Sequence, residues 1–330
     1  MLFLERHWQR RTVVSALLAP LAALFSTITA ARRTAFASGL IAREKLPVPV
    51  VVVGNVTVGG SGKTPLVLWL AQALKARAFA PGIVSRGYGG TASLSEVTAD
   101  SDPQRVGDEP VLLAARSGCP VWIGRSRVTA ARALVARHPE VDVLISDDGL
   151  QHYRLARDVE IAVVDGARGF GNRWLLPAGP LREPISRLSS VAAVVVNDGT
   201  IAQVPVPVFD MRLQGRQLRN LLNPERTADA GILRGKNVHA VAGIGNPQQF
   251  FLHLQRLGIS FTAHAFPDHH SFKAEELDFP GAGAVIMTEK DAIKCSRFAR
   301  ASWWLLPVDA SIDPALADLV VQRISTRRGH

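Results

Sequence analysis

Along this chain, short continuous apolar runs alternate with longer segments that carry an apolar residue every three or four positions. The run Val48-Pro49-Val50-Val51-Val52-Val53 leads through a glycine-rich turn into Leu66, Leu68, Trp69, Leu70, Ala73 and Leu74 at helical spacing. Short apolar runs bounded by turn residues mark buried parallel strands, and the period near 3.6 marks amphipathic helices. The same signals predict strands over 82–84, 121–123, 141–146, 161–165 and 191–196, with a helix over 128–137. Strand and helix in alternation imply a doubly wound, mostly parallel α/β sheet. Residues 200–230, rich in Pro, Gln and Arg, read as a connection with extended pieces. A strand from 238, a helix over 248–257 and strands over 284–288 and 303–306 then predict a second, smaller α/β lobe.

The N-terminal pattern is different. Residues 12–31 carry no charge, and Val13, Val14, Leu17, Leu18, Leu21, Leu24, Phe25 and Ile28 fall on one side of a helix. Arginines bracket this stretch, and the first 45 residues hold seven basic against two acidic side chains. A helix lying in the membrane interface fits this at least as well as a span. A cleaved signal peptide and a buried core helix are the other readings.

The turn after the first strand is the candidate phosphate site. It reads Gly54-Asn55-Val56-Thr57-Val58-Gly59-Gly60-Ser61-Gly62-Lys63-Thr64-Pro65. Strand, glycine-rich turn, Gly-Lys-Thr and helix are the context a phosphate-binding P-loop requires. Backbone N–H groups of Thr57, Val58, Gly59, Gly60, Ser61 and Gly62 would close around phosphate oxygens. Lys63 would reach the terminal phosphates, and the Thr64 hydroxyl would ligate Mg²⁺. Thr57 stands where the usual first glycine would be. A second strand ends in Asp147-Asp148, carboxylates at the edge where parallel sheets hold ligands and metal. Asp108-Glu109 opens a predicted helix, where acids commonly face the helix dipole. Gly243-Ile244-Gly245 resembles part of a dinucleotide fingerprint but lacks its third glycine.

Charge and composition narrow the functional class. The chain has 330 residues, 38 basic and 28 acidic side chains, and only two cysteines. That excludes a disulfide scaffold, and a mean hydropathy of +0.13 excludes a polytopic membrane protein. Half of the net charge of +10 belongs to the N-terminal segment, which argues for an anionic membrane surface and against a nucleic-acid partner.

Several motifs together resemble one family. They are the P-loop, Ser85-Arg86-Gly87-Tyr88-Gly89-Gly90, Gly107-Asp108-Glu109-Pro110, Asp147-Asp148-Gly149-Leu150-Gln151-His152, the segment 177–184, Phe266-Pro267-Asp268-His269 and Thr288-Glu289-Lys290-Asp291. This set is similar to the tetraacyldisaccharide 4'-kinases, the lipid A 4'-kinases of Gram-negative bacteria, over nearly the whole chain. Thr57 is what that family's loop looks like. The resemblance implies a three-part organisation: a membrane-associating helix over 1–45, a P-loop kinase domain over 46–205, and a linker with a cleft-closing α/β lobe over 206–330. It implies ATP and Mg²⁺, with the γ-phosphate passing to the 4'-hydroxyl of an acylated glucosamine disaccharide 1-phosphate lipid. The expected place is the cytoplasmic side of the inner membrane, with no obligate protein partner. By the same resemblance Asp108 is the base, His269 orients and tunes it, and Glu109 and Asp147 join Thr64 at the metal. Asp148 would position Lys63 or a metal-bound water, Arg182 would lie near phosphates, Glu183 near the sugar or metal, and Tyr88 at the head group. Pairing of Asp108 with His269 would require the two lobes to approach each other. A P-loop GTPase is the alternative, for which Thr288-Glu289-Lys290-Asp291 would be a guanine-reading loop. Lys290 and Lys294 suit one helix face near anions, or are neutralised by Glu289 and Asp291.

Overall fold

Three short helices open the chain: α1 (Leu2–Trp8), α2 (Val13–Leu17) and α3 (Ala19–Ala37). The computed structural model describes residues 2–328. The uncharged stretch is thus broken near Leu18, because Pro20 has no N–H to continue a helix and instead begins one. One side of this hairpin is anchored: the Trp8 indole donates to the Pro177 carbonyl at 3.0 Å, and the Asn172 N–H donates to the Trp8 carbonyl at 2.7 Å. The other side presents Val13, Leu17, Leu21, Leu24 and Ile28, all between 55 and 78% exposed. These apolar residues belong to no core, so the buried-helix reading does not hold. No helix among the described residues is long and apolar enough to cross a membrane.

The apolar run forms β1 (Val50–Gly54), and α4 (Lys63–Lys75) follows the glycine-rich turn. Next come β2 (Pro81–Ser85), β3 (Leu94–Val97), α5 (Pro103–Val106), α6 (Asp108–Ser117), β4 (Val121–Gly124), α7 (Arg127–Arg137) and β5 (Val143–Asp147). β6 (Val159–Asp165), β7 (Ala193–Asn197) and β8 (Val208–Gln214) extend the same sheet. β1 lies between β5 and β6, parallel to both, and every residue of β1 and β5 is buried. Full burial on both faces is why these strands read as continuous apolar runs. The register pairs Val53 with Asp147, which sets the P-loop beside the first carboxylate.

The chain then builds a second sheet from β9 (Gln217–Asn220), β10 (Thr227–Asp229), β11 (Val238–Ala242), β12 (Thr262–Ala265), β13 (Ala284–Thr288) and β14 (Trp303–Leu306). Its order is β10-β9-β14-β13-β11-β12, packed with α8 (Pro247–Arg256) and α9 (Glu289–Cys295). The chain finally returns as β15 (Asp309–Ile312) and α10 (Ala315–Arg328). The large sheet has the order β15-β8-β7-β6-β1-β5-β2-β4-β3. A boundary at 205/206 therefore does not follow the sheets: β8, β15 and α10 complete the first unit. Leu316, Val320 and Ile324 of α10 are fully buried in the same core as Leu66 and Leu70. In β8 Phe209, Met211 and Leu213 pack on the core in alternation with Asp210 and Arg212, and only Met211 is fully buried. The outgoing and returning crossings touch, since a side chain on Gly215 would collide with the Pro307 carbonyl.

A buried ionic cluster holds the loop that follows β5. Arg157 donates to the carbonyls of Leu150 and Leu155 at 3.0 Å and to that of His152, and it pairs with Glu160 at 2.9 Å. Arg187, 4% exposed, binds Glu160 at 2.6 Å, Ser190 at 2.7 Å and the Tyr153 hydroxyl at 3.2 Å. Removing one partner of a buried pair leaves an uncompensated charge. Arg187→Met is accordingly expected to cost about 3–5 kcal/mol, measured by denaturant unfolding against the wild-type chain. A loss under about 1 kcal/mol would mean that the cluster is solvated rather than structural.

Candidate active site

The P-loop is held from below and from both sides. Gly59 and Gly62 take φ values of 93° and 91°, which glycine adopts without a Cβ penalty. Gly62 also packs on Asn197, whose amide donates to the Ser61 carbonyl at 3.2 Å. Asn55 donates to the Ser61 hydroxyl at 3.1 Å. The segment 177–184 acts as a brace: Val58 N–H bonds the Pro180 carbonyl at 2.9 Å, and Arg182 N–H bonds the Val56 carbonyl at 2.7 Å. Thr57 makes an isolated bridge to Leu181 and is 9% exposed, so the variant position sits in a ladder.

Lys63 begins α4 with its Nζ 3.6 Å from Asp148 Oδ1, and Arg182 reaches both Asp148 oxygens at 3.0 and 3.1 Å. Asp148 itself has a φ of 47°. Burial alone would raise its pKa, but Lys63 and Arg182 outweigh it and hold the carboxyl far below its ordinary range. Asp147 is the opposite case. Burial, with Glu109 and Asp148 nearby, pushes it up to about 6. Ser85 donates to its Oδ2 at 3.0 Å, while its buried Oδ1 has no hydrogen-bond partner. A buried carboxylate oxygen left open beside two other carboxylates fits a hard cation with oxygen ligands.

Asp108 is the first residue of α6, and His269 lies in the second lobe with a φ of 59°. The two meet: His269 Nδ1 is 3.0 and 3.2 Å from the Asp108 oxygens. Burial works to raise the Asp108 pKa, but the His269 hydrogen bond and the charges of Lys290, His269 and Lys294 bring it to about 2. Burial likewise lowers His269, and the Asp108 hydrogen bond reverses the sign to a net rise. The tuning of Asp108 thus runs downward, toward a fixed anion. Tyr88 stands over this pair, its ring centroid 4.8 Å from that of His269. Asp108, His269, Tyr88, Gly89, Ser271 and Lys294 line a cavity of about 270 Å³.

Glu183 is placed elsewhere. It is 3% exposed, accepts from Gln151 at 3.0 Å and from the Tyr153 hydroxyl, and lies 3.8 Å from Arg187. In these contacts it braces the loop after Asp148. The Thr288–Asp291 segment is corrected as a guanine-reading loop. Thr288 caps α9, and the fully buried Asp291 accepts from the Thr288 hydroxyl at 2.7 Å and from Gly243 N–H at 2.9 Å. Glu289 pairs with Arg116 rather than with Lys290, while Lys294 lies 2.8 Å from Asp291.

Two arginines escaped the sequence signals. Arg127, 2% exposed, donates to the Asp147 carbonyl at 3.0 Å and the Gly124 carbonyl at 3.1 Å. Arg168, held by Asp165 at 2.9 Å, donates to the Gly60 carbonyl and, at 3.2 Å, to that of Gly245. It ties the P-loop to the second lobe. Gly245 lies against Gly60 so closely that a Cβ there would strike the Gly60 amide. Close backbone approach, rather than dinucleotide binding, accounts for the Gly243-x-Gly245 pattern.

A parallel sheet whose central strand feeds a phosphate loop, with a carboxylate pair on the neighbouring strand, defines a P-loop nucleotide-binding protein. The family model described as tetraacyldisaccharide-1-P 4'-kinase matches residues 14–325, and the chain belongs to that family. The tetraacyldisaccharide 4'-kinase of Methylobacillus flagellatus is 50% identical over 324 residues, 98% of this chain and 96% of the relative. That of Chromobacterium violaceum is 50% identical over 341 residues, covering 100% of both chains. The crystal structure of LpxK from Aquifex aeolicus in complex with ATP superposes with a TM-score of 0.79 at 29% identity, covering 94% of this chain and 100% of that one.

The electrostatics of Asp147 give a signed expectation. Its folded pKa of about 6 lies above its ordinary 3.8, so its ionisation destabilises the fold. The penalty is absent below the unfolded value, grows between the two, and is complete above the folded one. Asp147→Asn should therefore raise the melting temperature of the metal-free protein at pH 8, progressively less toward pH 4, while turnover falls. Equal shifts at both pH values would show that Asp147 is not strained by its charge.

Proposed function

We propose that this chain binds ATP and transfers its γ-phosphate to the 4'-hydroxyl of a tetraacyldisaccharide 1-phosphate, on the cytoplasmic face of the inner membrane. The observation that carries the reading is the Asp108–His269 pair, which lines a cavity and is linked through Glu109 and Lys290 to the carboxylates beside the P-loop. The family's relatives supply the acceptor. Phosphoryl transfer needs phosphates clamped, charge neutralised and the attacking hydroxyl aligned. Loop amides of Thr57 and of Gly59 to Gly62, with Lys63, do the clamping. Val58 drops out of that set, since its N–H is taken by the Pro180 carbonyl. Asp148 with Arg182 fixes where the Lys63 ammonium stands. Thr64, Asp147 and Glu109 are the residues that would hold Mg²⁺, which when bound offsets negative charge on the phosphates. Asp108, an anion at neutral pH, accepts the hydrogen bond of the acceptor hydroxyl and aligns it. In a loose transition state the hydroxyl becomes acidic late, so a weak base suffices. His269 keeps that carboxylate in place, and Tyr88, 56% exposed at the cavity rim, offers a ring face to the sugar.

The membrane belongs to the same proposal. The exposed stripe on α2 and α3, with exposed Arg6, Arg10, Arg11 and Arg32 around it, suits an interface of apolar chains and anionic head groups. The acceptor resides there, and the helices would bring the cavity to it.

The direct test is ATP-dependent phosphorylation of the tetraacyl disaccharide 1-phosphate in detergent micelles. Asp108→Ala and His269→Ala should each lower kcat about a hundredfold or more. The double variant should be little worse than the poorer single one, since residues acting as one unit are not additive. Multiplying losses would assign the two residues independent roles. For the membrane, replacing Leu17, Leu21 and Leu24 by Glu together should abolish sedimentation with phosphatidylglycerol-containing vesicles while sparing turnover on a short-chain soluble acceptor. Undiminished vesicle binding would remove these helices from the interface.

A further inference from the structure

Three successive carbonyls of the phosphate loop are each held by a side chain. Asn55 donates to the Gly59 carbonyl at 3.4 Å, Arg168 to that of Gly60, and Asn197 to that of Ser61 at 3.2 Å. In a trans peptide the C=O and the N–H that follows it point opposite ways. Holding these oxygens therefore turns the N–H groups of Gly60, Ser61 and Gly62 to the other side of the chain. The Gly60–Ser61 peptide needs the hold most, because a glycine at 60 tolerates the backbone angles of either orientation. Flipped, it would present a carbonyl oxygen to phosphate oxygens in place of an N–H. Arg168 is itself built in. It follows β6, whose last residue, Asp165, has a side chain only 4% exposed. Asp165 Oδ1 accepts the N–H groups of Ala167 and Arg168 at 3.1 Å, and its Oδ2 accepts Arg168 Nε at 2.9 Å. The two terminal nitrogens of the guanidinium then point away from Asp165, one to the Gly60 carbonyl and one to the Gly245 carbonyl of the second lobe at 3.2 Å.

We propose that Arg168 is a positioning residue for nucleotide binding: by bridging the Gly60 and Gly245 carbonyls it fixes the Gly60–Ser61 peptide with its N–H toward the phosphates and makes the second lobe part of the loop's support. A planar fork spans two carbonyls at a set separation, which the compact ammonium of a lysine does not reproduce. The charge also stands directly behind the loop, since a Cβ on Gly59 would lie 3.3 Å from Arg168 Nη1. Asn197 holds the neighbouring Ser61 carbonyl from β7, within the large sheet, whereas Arg168 draws on both lobes at once. The proposal rests on the glycine-rich loop being the ATP site, so its test reads nucleotide binding apart from turnover.

Titration calorimetry of the full-length protein in micelles, with Mg²⁺ and the non-transferable ATP analogue adenylyl imidodiphosphate, supplies that reading. In Arg168→Met the dissociation constant should rise about tenfold or more, as expected for a lost charged hydrogen bond. KM for ATP should rise with it, while KM for the lipid acceptor stays within about twofold of wild type. Arg168→Lys keeps the charge and loses the fork, so it should remain at least about threefold weaker than wild type, and it serves if the Met variant folds poorly. Asn246→Ala combined with Gln249→Ala removes two other bonds between the start of α8 and the large sheet, at 2.9 Å to Asp165 and 3.3 Å to Asp198. That variant should lower the melting temperature and leave the analogue's affinity within about twofold. Wild-type affinity in Arg168→Met overturns the proposal, and so does full recovery in Arg168→Lys, which would leave only the charge. A loss in the Asn246 and Gln249 variant equal to that of Arg168→Met overturns it too, because Arg168 is then a mere tie between the lobes. A wild-type protein that takes up no analogue would instead sink the nucleotide reading, a separate failure.

Discussion

The register between β1 and β5 is the constraint on which the site depends. Parallel pairing of Val53 with Asp147 ends both strands at one edge, so the glycine-rich turn and the carboxylate pair leave the sheet side by side. Gly54 lies against Leu150 so tightly that a Cβ would stand 2.9 Å from Leu150 Cγ. A slip of one residue would invert the faces of a fully buried strand and separate loop from carboxylates. The Arg157 and Arg187 cluster then fixes the turn after Asp148, and the 177–184 brace fixes the loop. The catalytic edge is rigid because buried charge and ladder bonds close on it from both sides.

Opposite charges alternate outward from that edge. Lys63 and Arg182 flank Asp148; Asp147 and Glu109 form a locally anionic patch; Lys290 follows, then His269 and Asp108. Such an arrangement keeps most charges compensated in a poorly solvated cleft, where an unpaired one would be expensive. Asp147 is the exception, with one oxygen open. Its raised pKa comes first from burial and then from the neighbouring Glu109 and Asp148 carboxylates.

What the sequence made legible was local in origin. The P-loop, the Asp147-Asp148 strand end and the strand–helix alternation each arise from spacing within a few residues, and the sheet reproduces them. The likeness of the motifs to one family was equally readable, since the motifs are contiguous. Long-range choices were not. Residues 208–214 carry a strand's alternation, with Phe209, Met211 and Leu213 on the core, but that pattern does not say which sheet the strand joins. Glu183 follows Arg182 by one position, yet one side chain turns to Asp148 and the other to Tyr153. Arg168 serves the P-loop from 108 positions away, through a carbonyl that any residue could supply.

The return of the chain to its first sheet has a consequence for how the protein comes into being. Leu316, Val320 and Ile324, all without solvent exposure, lie in the last helix and complete the core around α4, the helix that Lys63 begins. During synthesis the phosphate loop emerges long before α10, so the core around α4 stays incomplete until α10 has been made. The smaller lobe, encoded without interruption between the two crossings, is free to fold before the larger one closes. The phosphate loop is thus translated well before the core behind its helix is complete.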